Sequence, residues 1–112
     1  MVEKIKPSKL RDTVLSSLDE LKAVDPVTIN VKKLATFTDY MMIASGTSKR
    51  HIRSMGDKIL EDLKEKEIKP LGIEGQETGE WVLIDLGDVV LHLMSAKARS
   101  FYDLESLWDS DL

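Results

Sequence analysis

The stretch Trp81-Val82-Leu83-Ile84-Asp85-Leu86-Gly87-Asp88-Val89-Val90-Leu91-His92-Leu93-Met94 decides the fold. Two largely apolar runs flank Gly87-Asp88, and a two-residue turn with glycine in a positive-φ position folds such runs into an antiparallel hairpin. Closure at that point pairs Leu86 with Val89, Ile84 with Leu91 and Val82 with Leu93. One face then carries only aliphatic side chains and reads as core. The other face is mixed, with Trp81 opposite Met94, Leu83 opposite His92 and Asp85 opposite Val90. Such a face has two readings. A helix covers it, or it is an interface where large side chains anchor a partner and polar groups fix the register.

Upstream of the hairpin, Gly72, Gly75 and Gly79 follow Pro70 and mark turns around a short strand expected at Leu71–Ile73. Their spacing is not that of a dinucleotide or P-loop fingerprint, and they precede a strand instead of joining a strand to a helix. Further back, Ile52, Met55, Ile59, Leu60 and Leu63 form a helical stripe running to about Lys66, with Arg53, Lys58, Glu61, Asp62, Lys64 and Glu65 on the solvated side. Ser45-Gly46-Thr47-Ser48 supplies a turn and N-cap hydroxyls for that helix. Tyr40–Ala44 is apolar on both alternating faces, as expected of a strand inside the sheet, and Leu34–Asp39 is a connector. At the start of the chain, Leu10, Val14, Leu15, Leu18, Leu21 and Val24 line one face of a helix from Ser8, its expected N-cap, to a stop near Asp25 before Pro26. Val27, Ile29 and Val31 then alternate with polar residues as a half-buried strand. After the hairpin, Ala96–Asp111 reads as one or two short helices closing over the sheet. The order defines one α/β domain over residues 1–112 with a mixed sheet and flanking helices.

Composition narrows the chemistry. The 112 residues fit a single domain. Sixteen Lys and Arg against twenty Asp and Glu give a net charge of −4, which argues against a binding mode that neutralises many phosphates. No strong direct nucleic-acid binding is expected. With no cysteine there is no disulfide, thiolate metal site or thiol nucleophile. The longest apolar run falls far short of a membrane span and the N-terminus lacks an apolar signal core, so a soluble, cytoplasmic protein is expected.

Candidate catalytic groups are few. Asp85 lies in a strand and Asp88 in the turn after it, so the two do not aim at one ion, and His51 and His92 have no metal-ligand spacing; neither metal nor cofactor is expected. Ser45, Thr47 or Ser48 with His51 is the only local nucleophile and base set, and the same residues serve as turn and helix cap. The Gly46–Ser48 turn after a strand could hold a phosphate at a helix start, which makes nucleotidyl transfer the enzyme alternative. That reaction needs paired carboxylates on a following strand, and the hairpin strands carry no Asp-x-Asp or Asp-x-Glu.

Thr38-Asp39-Tyr40, Ile43–Ser48, Pro70–Gly75 and Gly79–Val90 together resemble the ribosomal silencing factor family, also called Iojap. The resemblance continues through His92, Met94, Ala98-Arg99, Phe101-Tyr102 and Leu107-Trp108, and departs at Ser95-Ala96-Lys97, where the family often has Gln-Pro-Glu. It implies a nucleotidyltransferase-like fold without the catalytic acids, and a non-enzymatic repressor of translation. Such a factor binds the large ribosomal subunit through its ribosomal protein number fourteen, blocks subunit joining under nutrient limitation, and forms a homodimer when free. On this reading Trp81, Leu83 and Met94 are expected to anchor the partner, with Asp85 and His92 as register-setting polar groups and Arg99 and Tyr102 at the rim.

Overall fold

The structure, a computed structural model describing residues 5–108, runs α1 (Pro7–Glu20), β1 (Val24–Asn30), β2 (Tyr40–Gly46), α2 (Lys49–Glu65), β3 (Gly72–Glu74), β4 (Trp81–Asp85), β5 (Val89–Ser95), α3 (Ala96–Tyr102) and α4 (Leu104–Trp108). The five strands form one sheet in the order β1-β2-β5-β4-β3. Strands β2 and β5 pair in parallel and every other neighbour pair is antiparallel. The mixed sheet expected from the hairpin is therefore present.

The hairpin closes as its sequence requires. Gly87 has φ +85°, a conformation glycine adopts without a Cβ penalty, and the Leu86 N–H donates to the Val89 carbonyl at 2.9 Å. From there Trp81 faces Met94, Val82 faces Leu93, Leu83 faces His92, Ile84 faces Leu91 and Asp85 faces Val90. Because side chains alternate along a strand, this single register assigns every hairpin residue to one of two cores.

Val82, Ile84, Leu86, Val89, Leu91 and Leu93 join Tyr40, Met42 and Ala44 of β2 beneath Leu10, Val14 and Leu18 of α1 and Ile52, Met55, Ile59 and Leu63 of α2. On the opposite face, Ile29, Val31, Met41, Ile43, Val90 and Met94 form a second buried cluster. Ala98, Leu104 and Trp108 of α3 and α4 pack against it, together with Trp81 and Leu83. All seven residues of β2 are buried because the strand has a pairing neighbour on each side and helices above and below.

Several expected boundaries shift. Ser8 is not the N-cap of α1: Lys6 precedes Pro7, which takes the first helical position where its missing N–H costs nothing. The helix also ends at Glu20, and Val24, counted on the helical stripe, opens β1. Lys22 at φ +57° turns the chain there, with the Ala23 N–H donating to the Leu18 carbonyl at 3.0 Å. Strand β1 is an edge strand with a bulge between Val24 and Val27, which accommodates Asp25 at φ +46° and Pro26. Strand β2 continues through Ser45 and Gly46, which were expected to turn, because Ser45 and Gly46 still pair with Met94 and Ser95. Strand β3, at the other edge, starts one residue later than expected, at Gly72. The C-terminal segment makes two helices, and Asp109–Asp111 lie outside the described residues.

Candidate partner-binding face

Alternation along β4 and β5 sends Trp81, Leu83 and Asp85, with Val90, His92 and Met94, to the face that α3 and α4 cover. These two helices have only seven and five residues and bury none of their own side chains fully. Cover is incomplete as a result. Trp81, Leu83 and Asp85 stay half-buried, whereas Met94 is fully buried and His92 is 6% exposed. The expectation that Met94 is itself an anchor is thereby corrected: it is floor under the exposed groups, as is His92.

The Trp81 indole N–H donates to His92 Nδ1 at 2.9 Å. An indole nitrogen gives a proton and accepts none, so the imidazole proton sits on Nε2, 2.9 Å from the Met41 sulfur. Burial pushes the His92 imidazole down from its ordinary 6.5 to about 4, because the charged form loses its hydration. The ring is neutral at physiological pH. Beside the indole lies the Tyr102 ring, 4.8 Å between centroids and tilted by 46°, and Phe101 meets Tyr102 edge-on at 5.0 Å. Both arrangements are favourable for aromatic quadrupoles. Tyr102 is 54% exposed and Phe101 80%.

The two remaining expected residues are spent on the fold. Asp85 accepts the Gly87 N–H at 2.9 Å, so its carboxylate fastens the hairpin turn. Arg99 donates to Glu105 at 2.6 Å and to the Val24 carbonyl and the Ser45 hydroxyl at 3.2 Å each. With its side chain 12% exposed, Arg99 clamps α3 and α4 to the β1–β2 end of the sheet. The structure therefore gathers Trp81, Leu83, His92, Met94 and Tyr102 in one place and sets Asp85 and Arg99 to structural tasks around it. Sequence reasoning missed Phe101 as part of this surface. A helix of two turns carries too few residues for periodicity to reveal which side faces out.

The other candidate set is also committed internally. Ser48 caps α2 by accepting the His51 N–H at 3.0 Å. His51 Nδ1 accepts the Thr47 N–H at 2.9 Å, and its Nε2 reaches the Leu21 carbonyl at 3.0 Å, tying the end of α1 to the start of α2. A Cβ on Gly46 would stand 2.5 Å from Ile52, so this glycine serves the close approach of helix to strand. Among the described residues no three His, Asp or Glu converge as a metal site, and no helix is long and apolar enough to cross a membrane.

A mixed five-strand sheet with two long helices on one face and an aromatic shelf on the other defines a small α/β protein that presents a surface. A crystal structure of a Chromobacterium violaceum protein has this architecture, with a TM-score of 0.90 and 34% identity over 93% of this chain and 87% of that one. The family model described as "Ribosomal silencing factor during starvation" matches residues 4–112, and the chain belongs to this family. A Chromobacterium violaceum protein named "Ribosomal silencing factor RsfS" is 37% identical over 94 residues, spanning 84% of this chain and 77% of the relative. The Mus musculus protein named "Mitochondrial assembly of ribosomal large subunit protein 1" is 37% identical over 100 residues, spanning 87% of this chain and 44% of that one.

Proposed function

We propose that the protein represses translation as a ribosomal silencing factor: it docks on the large ribosomal subunit through ribosomal protein number fourteen and obstructs joining of the small subunit when nutrients are scarce. The observation that carries this reading is the family match across residues 4–112. The name of the mouse relative, which refers to the ribosomal large subunit, supports the choice of subunit. Steric obstruction asks for a folded body in the right place and no reacting group. The docking face we assign is the half-buried shelf of Trp81 and Leu83 with Tyr102 and Phe101 beside it. Aromatic side chains supply large contact area with few rotors to freeze. A net charge of −4 suits approach to a basic protein surface, where charge complementarity raises the association rate more than the final affinity. The site of action is the cytoplasm. When free, the protein pairs with a second copy.

The test is co-sedimentation with purified large subunits, followed by a subunit-joining assay. Wild-type protein is expected to pellet with large subunits and to lower the yield of joined ribosomes. Tyr102, expected at the rim, stacks beside Trp81 and is assigned to the anchor itself, so Tyr102→Ala is expected to weaken binding by about tenfold or more, the range for a central aromatic anchor, with the melting temperature nearly unchanged. Retained affinity in a folded Tyr102→Ala protein rules out this face. The enzyme alternative places a nucleotide at the Gly46–Ser48 turn, and magnesium-dependent nucleotide binding in calorimetry without co-sedimentation is the outcome that favours it.

A further inference from the structure

His92 occupies the middle of β5, paired with Ile43 on β2 and Leu83 on β4, and its chain neighbours Leu91 and Leu93 are fully buried. An aliphatic side chain suits such a position. Burying an imidazole costs desolvation that a leucine avoids, so stability alone does not account for this residue. Its two ring nitrogens have separate partners. Nδ1 takes the indole proton of Trp81, and Nε2 points its proton at the sulfur of Met41. The Met41 side chain is itself 3% exposed, and turning the ring over would exchange Nδ1 with Cδ2 and Nε2 with Cε1, so that the indole N–H and the Met41 sulfur would each face a C–H group and both contacts would be lost. The polar chain therefore ends at Trp81, a large side chain on this face that still reaches solvent.

We propose that His92 is the positioning residue of the docking face: it holds the Trp81 indole in one orientation, so that Trp81 and Tyr102 meet the large-subunit protein as a surface already formed. This inference rests on the assignment of the Trp81 and Tyr102 shelf as the docking face. The indole is fixed at two points, by the hydrogen bond from beneath and by the Tyr102 ring at its side. Without the bond from beneath, the indole keeps its area and gains rotamers, and a partner then has to order it on binding. An indole has only two rotors, so ordering it at an interface weakens association by about two- to fivefold, the low end of the range for an immobilised side chain. The loss appears mainly as faster dissociation, since rates of encounter vary little among variants of one interface.

The experiment compares His92→Leu, His92→Asn and Trp81→Phe in the full chain. It measures dissociation constants and dissociation rates on large subunits, melting temperature, and hydrogen exchange of the two indole N–H groups by NMR. His92→Leu keeps the volume and removes the acceptor. It is expected to bind about two- to fivefold more weakly through faster dissociation, with a melting temperature no lower than that of wild type and rapid exchange at the Trp81 indole only. His92→Asn returns an acceptor near the Nδ1 position and is expected to recover most of the affinity and the slow exchange. Trp81→Phe keeps the ring and drops the donor, and is expected to match His92→Leu. A purely structural histidine instead gives a lower melting temperature with an unchanged dissociation rate in the folded fraction, and that result overturns the proposal. If Tyr102→Ala and Trp81→Phe both bind as wild type does, the docking assignment itself fails and the positioning role fails with it. If they lose affinity while His92→Leu does not, only the positioning role fails.

Discussion

The two faces of the sheet are built on the same strands and finished differently. Under α1 and α2, Val82, Ile84, Leu91 and Leu93 are all at 0% exposure, and a helix of 17 residues closes over them. Under α3 and α4, Trp81 and Leu83 remain half-exposed, and Phe101, Tyr102 and Leu107 stand 80%, 54% and 70% in solvent. Long amphipathic helices seal a sheet, whereas two short ones pinned by Arg99 leave a shelf. If the shelf is the docking face proposed above, the difference separates stability from recognition: one face holds the chain folded, and the other keeps large side chains accessible at a cost in burial. Exposed aromatic clusters of this kind mark interaction surfaces.

The sharpest way to break this contrast is to truncate one leucine on each face. Leu91→Ala empties volume from the sealed side and is expected to lower unfolding free energy by about 3–4 kcal/mol, whereas Leu83→Ala on the shelf loses about 1 kcal/mol because that site is already partly hydrated. Urea unfolding of the two variants checks the ratio, and equal losses contradict the division.

Acid sharpens the contrast next, because the shelf side has a buried titratable group. The folded His92 holds its proton only below about 4, while the unfolded imidazole takes one up below 6.5. Unfolding thus gains a proton between those values. The stabilisation is present above pH 6.5 and falls away as pH drops toward 4, by about 3 kcal/mol in all and about 2 kcal/mol between pH 7 and pH 5. Urea titrations of wild type and His92→Leu over that interval should diverge by this amount, and parallel curves contradict it. The smallest effect on stability belongs to Phe101→Ser. At 80% exposure the change is expected to stay within about 0.5 kcal/mol, while affinity for large subunits drops severalfold in the co-sedimentation assay.

The parts legible in the sequence were those governed by local alternation. The hairpin register followed from Gly87-Asp88 and two periodic runs, and it is the observed one from Trp81–Met94 to Asp85–Val90. The stripes of α1 and α2 were legible because each spans several turns. Val24 was misassigned because it falls three residues after Leu21 by coincidence, and because Pro26, a helix stop, is equally acceptable in a bulged edge strand. The parallel pairing of β2 with β5 has no local signature, since it joins segments more than forty residues apart. At the shelf, the sequence brought out Trp81, Leu83 and His92 on one face. Which of them reach solvent depends on where α3 and α4 settle, and that is decided by Arg99, which grips Val24 and Ser45 from distant parts of the chain while holding Glu105 of α4.

The two margins of the sheet carry a last consequence. Strand β1 is interrupted by Asp25 at positive φ and by Pro26, which has no N–H to offer, and β3 is only three residues long. Neither margin presents the straight row of amides and carbonyls that another chain needs in order to add a strand. Strand addition is thereby disfavoured among the described residues, and a partner on the proposed shelf reads side chains and not backbone. Backbone recognition is nearly indifferent to sequence, whereas recognition through an indole and a phenol can be lost or retuned by a single codon change.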